Sequence, residues 1–256
     1  MDEKIFDKII QKKEFSCLLR EDVEIAYSHF EKRQVNDEEK IRLTRELLHK
    51  VFGAFSSRKL LSFKDKDAEW FLRKHLSTRE RLGFYCEVYK RILGGLGKKF
   101  SVIDLGAGIN GLSYEYFKKE GFSVSYVAVE AVGQLVDSMN VYFEKNKFDA
   151  MAVHESLFDL EKIKSLVWKQ KKPRVVLMFK VLDSLEMLEK NYSKNLILSI
   201  AEVSERIVVS FATESMVSRK RFRVNRKWFD DFVRENFKIL EEFEIGAERF
   251  IVFCKR

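Results

Sequence analysis

The chain has 256 residues, of which 46% are hydrophobic and 34% are charged. This length allows one large domain or two small ones with a sizeable core, and the composition excludes a mainly disordered chain. Lysine and arginine outnumber the acidic residues 48 to 40, which gives a net charge of +8. An excess of this size favours a polyanionic partner without identifying it.

The cysteines are Cys17, Cys86 and Cys254, which are odd in number and far apart. They form no CxxC pair and no cluster with histidine, so we expect neither a disulfide framework nor a metal site. The charged amino terminus lacks the apolar segment of a secretory signal, and no apolar run reaches the length of a membrane span. We expect a cytoplasmic monomer with no membrane partner. Four scattered histidines are expected to be structural or surface residues.

Residues 1–97 show apolar residues at helical spacing and few strand signals. The periodicity predicts helices near residues 5–10, 23–30 and 41–51. Ser77 and Glu80 have the spacing of a capping box, which predicts that a further helix begins there. Gly94 and Gly95 are expected to end that helix. We therefore predict an all-helical N-terminal domain over residues 1–97.

Residues 98–256 follow a different pattern, in which short β-rich runs alternate with helical segments. Such alternation predicts an α/β domain with a mainly parallel sheet. The last two runs flank Gly246 and predict a β-hairpin. The predicted strands cover residues 100–105, 124–129, 150–154, 175–179, 207–211, 237–245 and 248–254.

A glycine-rich turn follows the first of these strands, with Asp104, Gly106 and Gly108 at alternate positions. Glycine allows a ligand to approach the backbone closely, and the following helix presents free N–H groups. The next strand ends at Glu130, at about the spacing expected of a carboxylate that binds a ribose. Gly106, Gly108 and Gly111 also have dinucleotide-binding spacing, so NAD is an alternative ligand. The acid before the first glycine resembles instead the pattern of class I S-adenosylmethionine-dependent methyltransferases.

Further motifs are spread over almost the whole length of the chain. They are Lys12-Lys13, Leu48-His49, Gly53-Ala54, Ser77-Thr78, Glu80-Arg81, Asp104, Gly106, Gly108, Asn110, Phe179-Lys180, Leu182, Ser210-Phe211, Trp228-Phe229, Ile245-Gly246 and Glu248. With these residues the chain resembles the aminoglycoside-resistance 16S rRNA (guanine-N7) methyltransferases.

This resemblance implies a Rossmann-like, mostly parallel seven-stranded sheet with a C-terminal β-hairpin, preceded by the helical domain. Residues 1–97 would dock on the ribosome, and residues 98–256 would bind S-adenosylmethionine. Arg81 would pair with the carboxylate of the cofactor, and Lys180 would lie at the methyl-transfer site as the catalytic residue. The cofactor-binding residues would be Arg81, Asp104, Gly106, Gly108, Asn110, Glu130, Glu155 and Ser156.

The chain departs from the family where Gly111, Asp183 and Ala212 stand in place of prolines. A basic segment follows the last of these and is expected to contact RNA phosphates, with Phe222 available for stacking. A solvated surface is the alternative interpretation of this charge. The basic residues are Arg219, Lys220, Arg221, Arg223, Arg226 and Lys227.

The implied target is a decoding-region guanine of 16S rRNA, within the 30S subunit. Guanine N7 has a lone pair and no proton, so direct in-line transfer would need alignment and desolvation rather than a general base. Two alternatives remain open from the sequence. One is a non-catalytic or retargeted RNA- or ribosome-binding protein on the same fold, and the other is a methyltransferase acting on a small molecule or a protein.

Overall fold

The structure is a computed structural model that describes residues 1–53, 67–214 and 226–256. Its centre is a seven-stranded sheet with the spatial order β3-β2-β1-β4-β5-β7-β6. The strands are β1 Lys99–Leu105, β2 Ser123–Glu130, β3 Ala150–His154, β4 Arg174–Phe179, β5 Arg206–Ala212, β6 Phe237–Ile245 and β7 Glu248–Lys255.

Strands β1 to β5 are parallel, while β7 runs antiparallel to β5 and forms a hairpin with β6. The predicted sheet, its parallel pairing and the C-terminal hairpin are therefore confirmed. The inner strands read as continuous apolar runs because both faces of the sheet are covered. In β4, Val175 and Leu177 enter one hydrophobic cluster, whereas Val176 and Met178 enter the cluster on the opposite face.

Twelve α-helices lie within the described residues. Helices α1 to α6 form the N-terminal region, and α7 to α12 connect the strands. They are Glu3–Ile10, Arg20–Glu31, Asp37–Leu48, Ala68–Lys74, Leu76–Arg81 and Tyr85–Leu93, followed by Tyr114–Lys119, Gly133–Asn146, Leu160–Trp168, Leu182–Leu188, Tyr192–Ala201 and Lys227–Asn236. None of these helices combines the length and the apolar character needed to span a membrane.

The helical N-terminal region packs directly on the sheet. One continuous cluster of buried side chains includes Tyr27 of α2 and Tyr89 of α6 together with Val102 of β1 and Phe250 of β7. Helix α6 ends at Leu93, near the predicted end of the helical region. The two parts of the chain therefore share a core, so the N-terminal helices can contribute to a site at the edge of the sheet.

The predicted capping box is wrong. Ser77 lies inside α5, whose N-cap is His75, and the helix ends at Arg81 before α6 begins at Tyr85. The side chain of Ser77 does not cap a helix because its hydroxyl accepts a hydrogen bond from Arg81 Nη2 at 2.7 Å. Thr78 instead donates to the carbonyl of Leu72 at 2.7 Å. The hydroxyl groups of Ser77 and Thr78 therefore bond to other residues of the fold and do not cap a helix. The spacing of residues in the sequence does not show these contacts.

Candidate active site at the carboxyl edge of the sheet

A cleft opens at the carboxyl ends of β1, β2 and β4, with about 800 Å³ of empty space that includes open solvent. The neighbouring strands β1 and β4 lead in opposite directions across the sheet, and ligands of open α/β sheets bind at such a switch point. Residues of the N-terminal helices complete its walls. The lining residues are Asp22, Val51, Phe52, His75, Ser77, Arg81, Gly106, Ala107, Gly108, Glu130, Ala131, Val132, Leu135, Leu157, Phe158, Phe179, Lys180, Val181, Ser184, Leu185 and Leu188.

The glycine-rich turn forms the floor of this cleft. Gly106 has φ +70° and Gly108 has φ +57°, in the left-handed region that disfavours other residues. A Cβ atom on Gly106 would lie 2.5 Å from Cγ2 of Val181. The backbone N–H of Gly106 donates to the carbonyl of Val129 at 2.9 Å, which ties the turn to β2. Glycine is therefore required here by both conformation and space.

Glu130 presents a fixed carboxylate on the wall beside this turn. Its side chain accepts hydrogen bonds from the backbone N–H of Gly108 at 2.7 Å and of Val132 at 3.0 Å. Burial raises the pKa of Glu130, and these two N–H groups oppose that shift. Each carboxylate oxygen keeps a further lone pair. Glu130 can therefore accept hydrogen bonds from a diol without losing its backbone contacts.

Arg81 reaches the cleft from α5 and is only 2% exposed. Its guanidinium donates to Glu248 at 3.1 Å, to Asn110 at 2.7 Å and to Ser77 at 2.7 Å. A buried guanidinium held on several sides is a rigid positive group. It can pair with a carboxylate that enters the cleft.

Lys180 lies at the end of β4 with φ +57°, an unusual conformation for a residue with a side chain. Its Nζ forms ion pairs with Glu80 and, at 3.2 Å, with Glu248. Glu248 also accepts a hydrogen bond from the hydroxyl of Ser210. Two carboxylates thus balance the charges of Arg81 and Lys180. Glu80 and Glu248 belong to the family motifs, but their positions in the chain gave no reason to assign this role.

Asp104 and Asn110, two of the predicted cofactor-binding residues, are not among the cleft-lining residues. Asp104 accepts hydrogen bonds from Asn110 at 2.7 Å and from Tyr126 at 2.6 Å. Asn110 in turn accepts from Arg81 and, at 2.8 Å, from Tyr85. Burial raises the pKa of Asp104. These residues stand behind the cleft, where they hold Arg81 in place.

The predicted cofactor-binding residues Glu155 and Ser156 have different surroundings in the structure. Glu155 does not line the cleft, and its carboxylate lies 3.6 Å from Nζ of Lys162. Ser156 is buried and donates to Oδ1 of Asp22 at 2.8 Å, and it is Asp22 that lines the cleft. Sequence reasoning missed Asp22 because an aspartate in the first turn of a helix is ordinary.

His75, predicted to be a structural or surface residue, is buried and lines the cleft. Burial lowers the pKa of His75 to about 3, so its ring is neutral near pH 7. His29 and His154 fit the structural interpretation, since each bonds a backbone carbonyl, at 2.7 Å and 3.0 Å.

The basic segment is described only in part. Arg219, Lys220, Arg221 and Arg223 lie outside the described residues, as does Phe222. Arg226 is buried and pairs with Asp183 at 2.7 Å, and Lys227 pairs with Asp231 at 3.0 Å.

Two departures from the family have local structural reasons. Asp183 is the ion-pair partner of Arg226. Gly111 is needed for space, because a Cβ atom there would lie 2.7 Å from the ring of Phe143 and 2.9 Å from Sδ of Met139.

The cleft fits a molecule with a charged end, a diol and a flat base. Arg81 and Ser77 offer donors to a carboxylate, and Glu130 offers acceptors to a ribose. Beyond Glu130 the walls are apolar and include Val132, Leu135, Leu157 and Phe158. S-adenosylmethionine has these three parts. The antiparallel strand β7, inserted between β5 and β6, departs from the strand order of dinucleotide-binding sheets. The fold and the cleft therefore define a class I S-adenosylmethionine-dependent methyltransferase rather than a dinucleotide-binding protein.

Within that class, the sequence model of the ribosomal RNA methyltransferase family (FmrO) matches residues 66–246. The chain belongs to this family, and the resemblance found in the sequence is confirmed. It is similar to the 16S rRNA (guanine(1405)-N(7))-methyltransferase of Proteus mirabilis, 23% identical over 72% of this chain and 64% of that protein, just under two thirds of its length. The protein of the same name from Micromonospora rosea is 26% identical over 84% of this chain and 82% of that protein.

Solved structures share the fold. The 16S rRNA methyltransferase RmtF, crystallised with S-adenosyl-L-homocysteine, superposes with a TM-score of 0.80 at 21% identity, and the match covers 100% of both chains. An rRNA methylase from Escherichia coli gives a TM-score of 0.76 at 21% identity over 98% of this chain and 100% of that one. At these identities the likeness is one of fold.

Proposed function

We propose that the protein transfers a methyl group from S-adenosylmethionine to N7 of a decoding-region guanine in 16S rRNA, within the 30S subunit. The observation that carries this proposal is the cleft in which Arg81, the glycine turn and Glu130 meet at the switch point of the sheet, in a member of a ribosomal RNA methyltransferase family. The names of the relatives support guanine N7 as the acceptor. A cytoplasmic location follows from a ribosomal substrate.

Each part of the cleft would hold one part of the cofactor. Arg81 and Ser77 would bind its carboxylate, Gly106 and Gly108 would leave room for it beside the backbone, and Glu130 would bind the ribose hydroxyls. Asp104 and Asn110 would act through Arg81, since their side chains bond to it directly or through each other. Ser156 would act through Asp22.

The methyl transfer requires little general acid or base catalysis from the protein. S-adenosylmethionine supplies an electrophilic methyl group, and guanine N7 carries a lone pair and no proton. Near the methyl-transfer end, Lys180 is held between Glu80 and Glu248, and buried His75 is neutral. Their described contacts favour a role in aligning the reactants and excluding water. This supports transfer without a general base.

The two parts of the chain would have different roles in the reaction. Residues 98–256 would bind the cofactor, and residues 1–97 would dock on the rRNA. The helical region has a second role in this proposal, because Asp22, Ser77 and Arg81 belong to it and line the cleft. Docking of the helices on RNA would therefore occur beside the bound cofactor.

The direct test is transfer of labelled methyl from S-adenosylmethionine to purified 30S subunits and to naked 16S rRNA. The modified base is then mapped by chemical cleavage at N7-methylguanine. Label with cleavage at one decoding-region guanine is the expected result. Label without cleavage would overturn N7 as the acceptor. Tight binding to 30S subunits without label would favour the non-catalytic alternative.

The basic segment gives a separate test of RNA binding. Changing Arg219, Lys220 and Arg221 together to alanine should weaken binding to 16S rRNA and reduce the slope of log affinity against log salt by about 0.7–0.9 for each phosphate that the variant no longer neutralises. The control is Lys238→Ala, an exposed lysine on the edge strand β6, which should leave the slope unchanged. An unchanged slope in the triple variant would contradict the assignment.

A further inference from the structure

Asp22 carries a buried oxygen that none of the described residues satisfies. The residue is 1% exposed, and its Oδ1 accepts a hydrogen bond from Ser156 at 2.8 Å. Its Oδ2 is buried with no hydrogen-bond partner among the described residues. A buried carboxylate oxygen without a donor is costly, so such an atom calls for a specific explanation.

The residue that carries this oxygen lies at the apolar end of the cleft. Asp22 lines the cleft together with Leu135, Leu157 and Phe158. Ser156, which anchors it, also accepts a hydrogen bond from the backbone N–H of Phe158 at 3.1 Å. The carboxylate therefore stands at the end that fits a flat base, beyond the ribose-binding Glu130.

We infer that Asp22 is a base-selecting residue, whose Oδ2 accepts a hydrogen bond from the 6-amino group of the cofactor's adenine. The inference rests on the proposed function. A fixed acceptor that faces position 6 of the base favours an amino group there, and it meets a repelling oxygen when the base carries a 6-oxo group. Burial raises the pKa of Asp22 to about 7, and a donor from the ligand would favour its ionised form.

The assignment gives the N-terminal region a part in cofactor recognition. Asp22 belongs to α2, whereas Ser156 follows β3, so the hydrogen bond between them joins the two parts of the chain at the base end of the cleft. The backbone N–H of Gly133 donates to the carbonyl of Cys17 at 3.0 Å, which fixes the entry to α2 against the same edge. The carboxylate is thereby preorganised.

The test compares two ligands by calorimetric titration at about pH 8, where Asp22 is mostly ionised and both bases are neutral. One is S-adenosyl-L-homocysteine and the other is its deaminated analogue S-inosyl-L-homocysteine, which carries a 6-oxo group. The wild-type protein should bind the first more tightly by about tenfold to a hundredfold, as expected for a buried acceptor that loses its donor. Equal affinities would overturn the inference. Failure to bind S-adenosyl-L-homocysteine at all would count against the proposed cofactor instead.

The substitution Asp22→Asn replaces the hydrogen-bond acceptor that faces the base by a donor. The amide oxygen can still accept from Ser156, which turns the amide N–H₂ toward the base as a donor. The preference for the 6-amino ligand should disappear or invert, and an unchanged ratio would refute the assignment. Glu21→Gln, an exposed neighbour on the same helix, is the matched control and should keep the wild-type ratio.

A ratio of two affinities on one preparation does not depend on the folded fraction. Should Asp22→Asn not fold, Ser156→Ala removes the donor that orients the carboxylate. It is then expected to reduce the selectivity, while unchanged selectivity would contradict the positioning of Asp22 by Ser156.

Discussion

Replacing Glu248 by glutamine removes a buried negative charge that contacts both Arg81 and Lys180. Glu248 is almost fully buried and lies 3.1 Å from the guanidinium and 3.2 Å from the ammonium group. Glutamine has the same shape, and its amide oxygen can still accept from Arg81 while its N–H₂ group faces Ser210. The change therefore tests the charge rather than the packing.

The magnitude follows from the burial of the pair. Breaking a buried ion pair typically costs about 3–5 kcal/mol, because the remaining charge is left without compensation. Lys180 keeps Glu80 as a partner, but Arg81 would be left with neutral acceptors, namely Asn110, Ser77 and the new amide oxygen. We expect the lower end of the range, about 3 kcal/mol of lost unfolding free energy.

The assay is urea unfolding of the wild type and of two variants at pH 7. Asp230→Asn is the matched control, because Asp230 pairs at 2.8 Å with Arg249, the residue next to Glu248, where the two side chains are 32% and 26% exposed. Such a pair contributes about 1 kcal/mol or less. Losses of equal size in the two variants, or a loss below about 1 kcal/mol in Glu248→Gln, would refute the reasoning.

Two further predictions test the glycine turn and the buried acid. Gly106→Ala should cost about 2–4 kcal/mol and abolish binding of S-adenosyl-L-homocysteine in a calorimetric titration, because its Cβ would meet Val181 at 2.5 Å. Gly121→Ala, at φ +76° with no atom within 4 Å of its Cβ, should show the backbone strain alone, and an equal effect would contradict the crowding argument. The raised pKa of Asp22, about 7 against an ordinary 3.8, stabilises the fold fully below pH 3.8, and this contribution is lost as the pH rises through 7. Asp22→Asn lacks this pH dependence. Its unfolding free energy relative to that of the wild type should therefore rise by about 2–3 kcal/mol between pH 5 and pH 8 in the absence of ligand. A difference between the two proteins that does not change with pH would refute this prediction.

Some of the site could be predicted because it depends on neighbours in sequence. The turn at Gly106 and Gly108 follows a buried strand directly, and Glu130 ends the next strand, so parallel pairing alone brings them to one edge. The capping-box prediction failed at Ser77 for the opposite reason. Its hydroxyl is used by a guanidinium buried against the sheet, and that contact depends on how the helices pack.

The sequence by itself determined the order of strands and helices, the glycine turn and the acid at the end of β2. These features depend on apolar periodicity and local backbone geometry, which involve only residues that are close together in the chain. Only the tertiary structure decided the partners of the buried charges. Arg81 meets Glu248 across 167 positions, and Asp22 meets Ser156 across 134. Such pairs form where elements remote in sequence exclude water together, and a charge buried there must find its counterpart in space rather than along the chain.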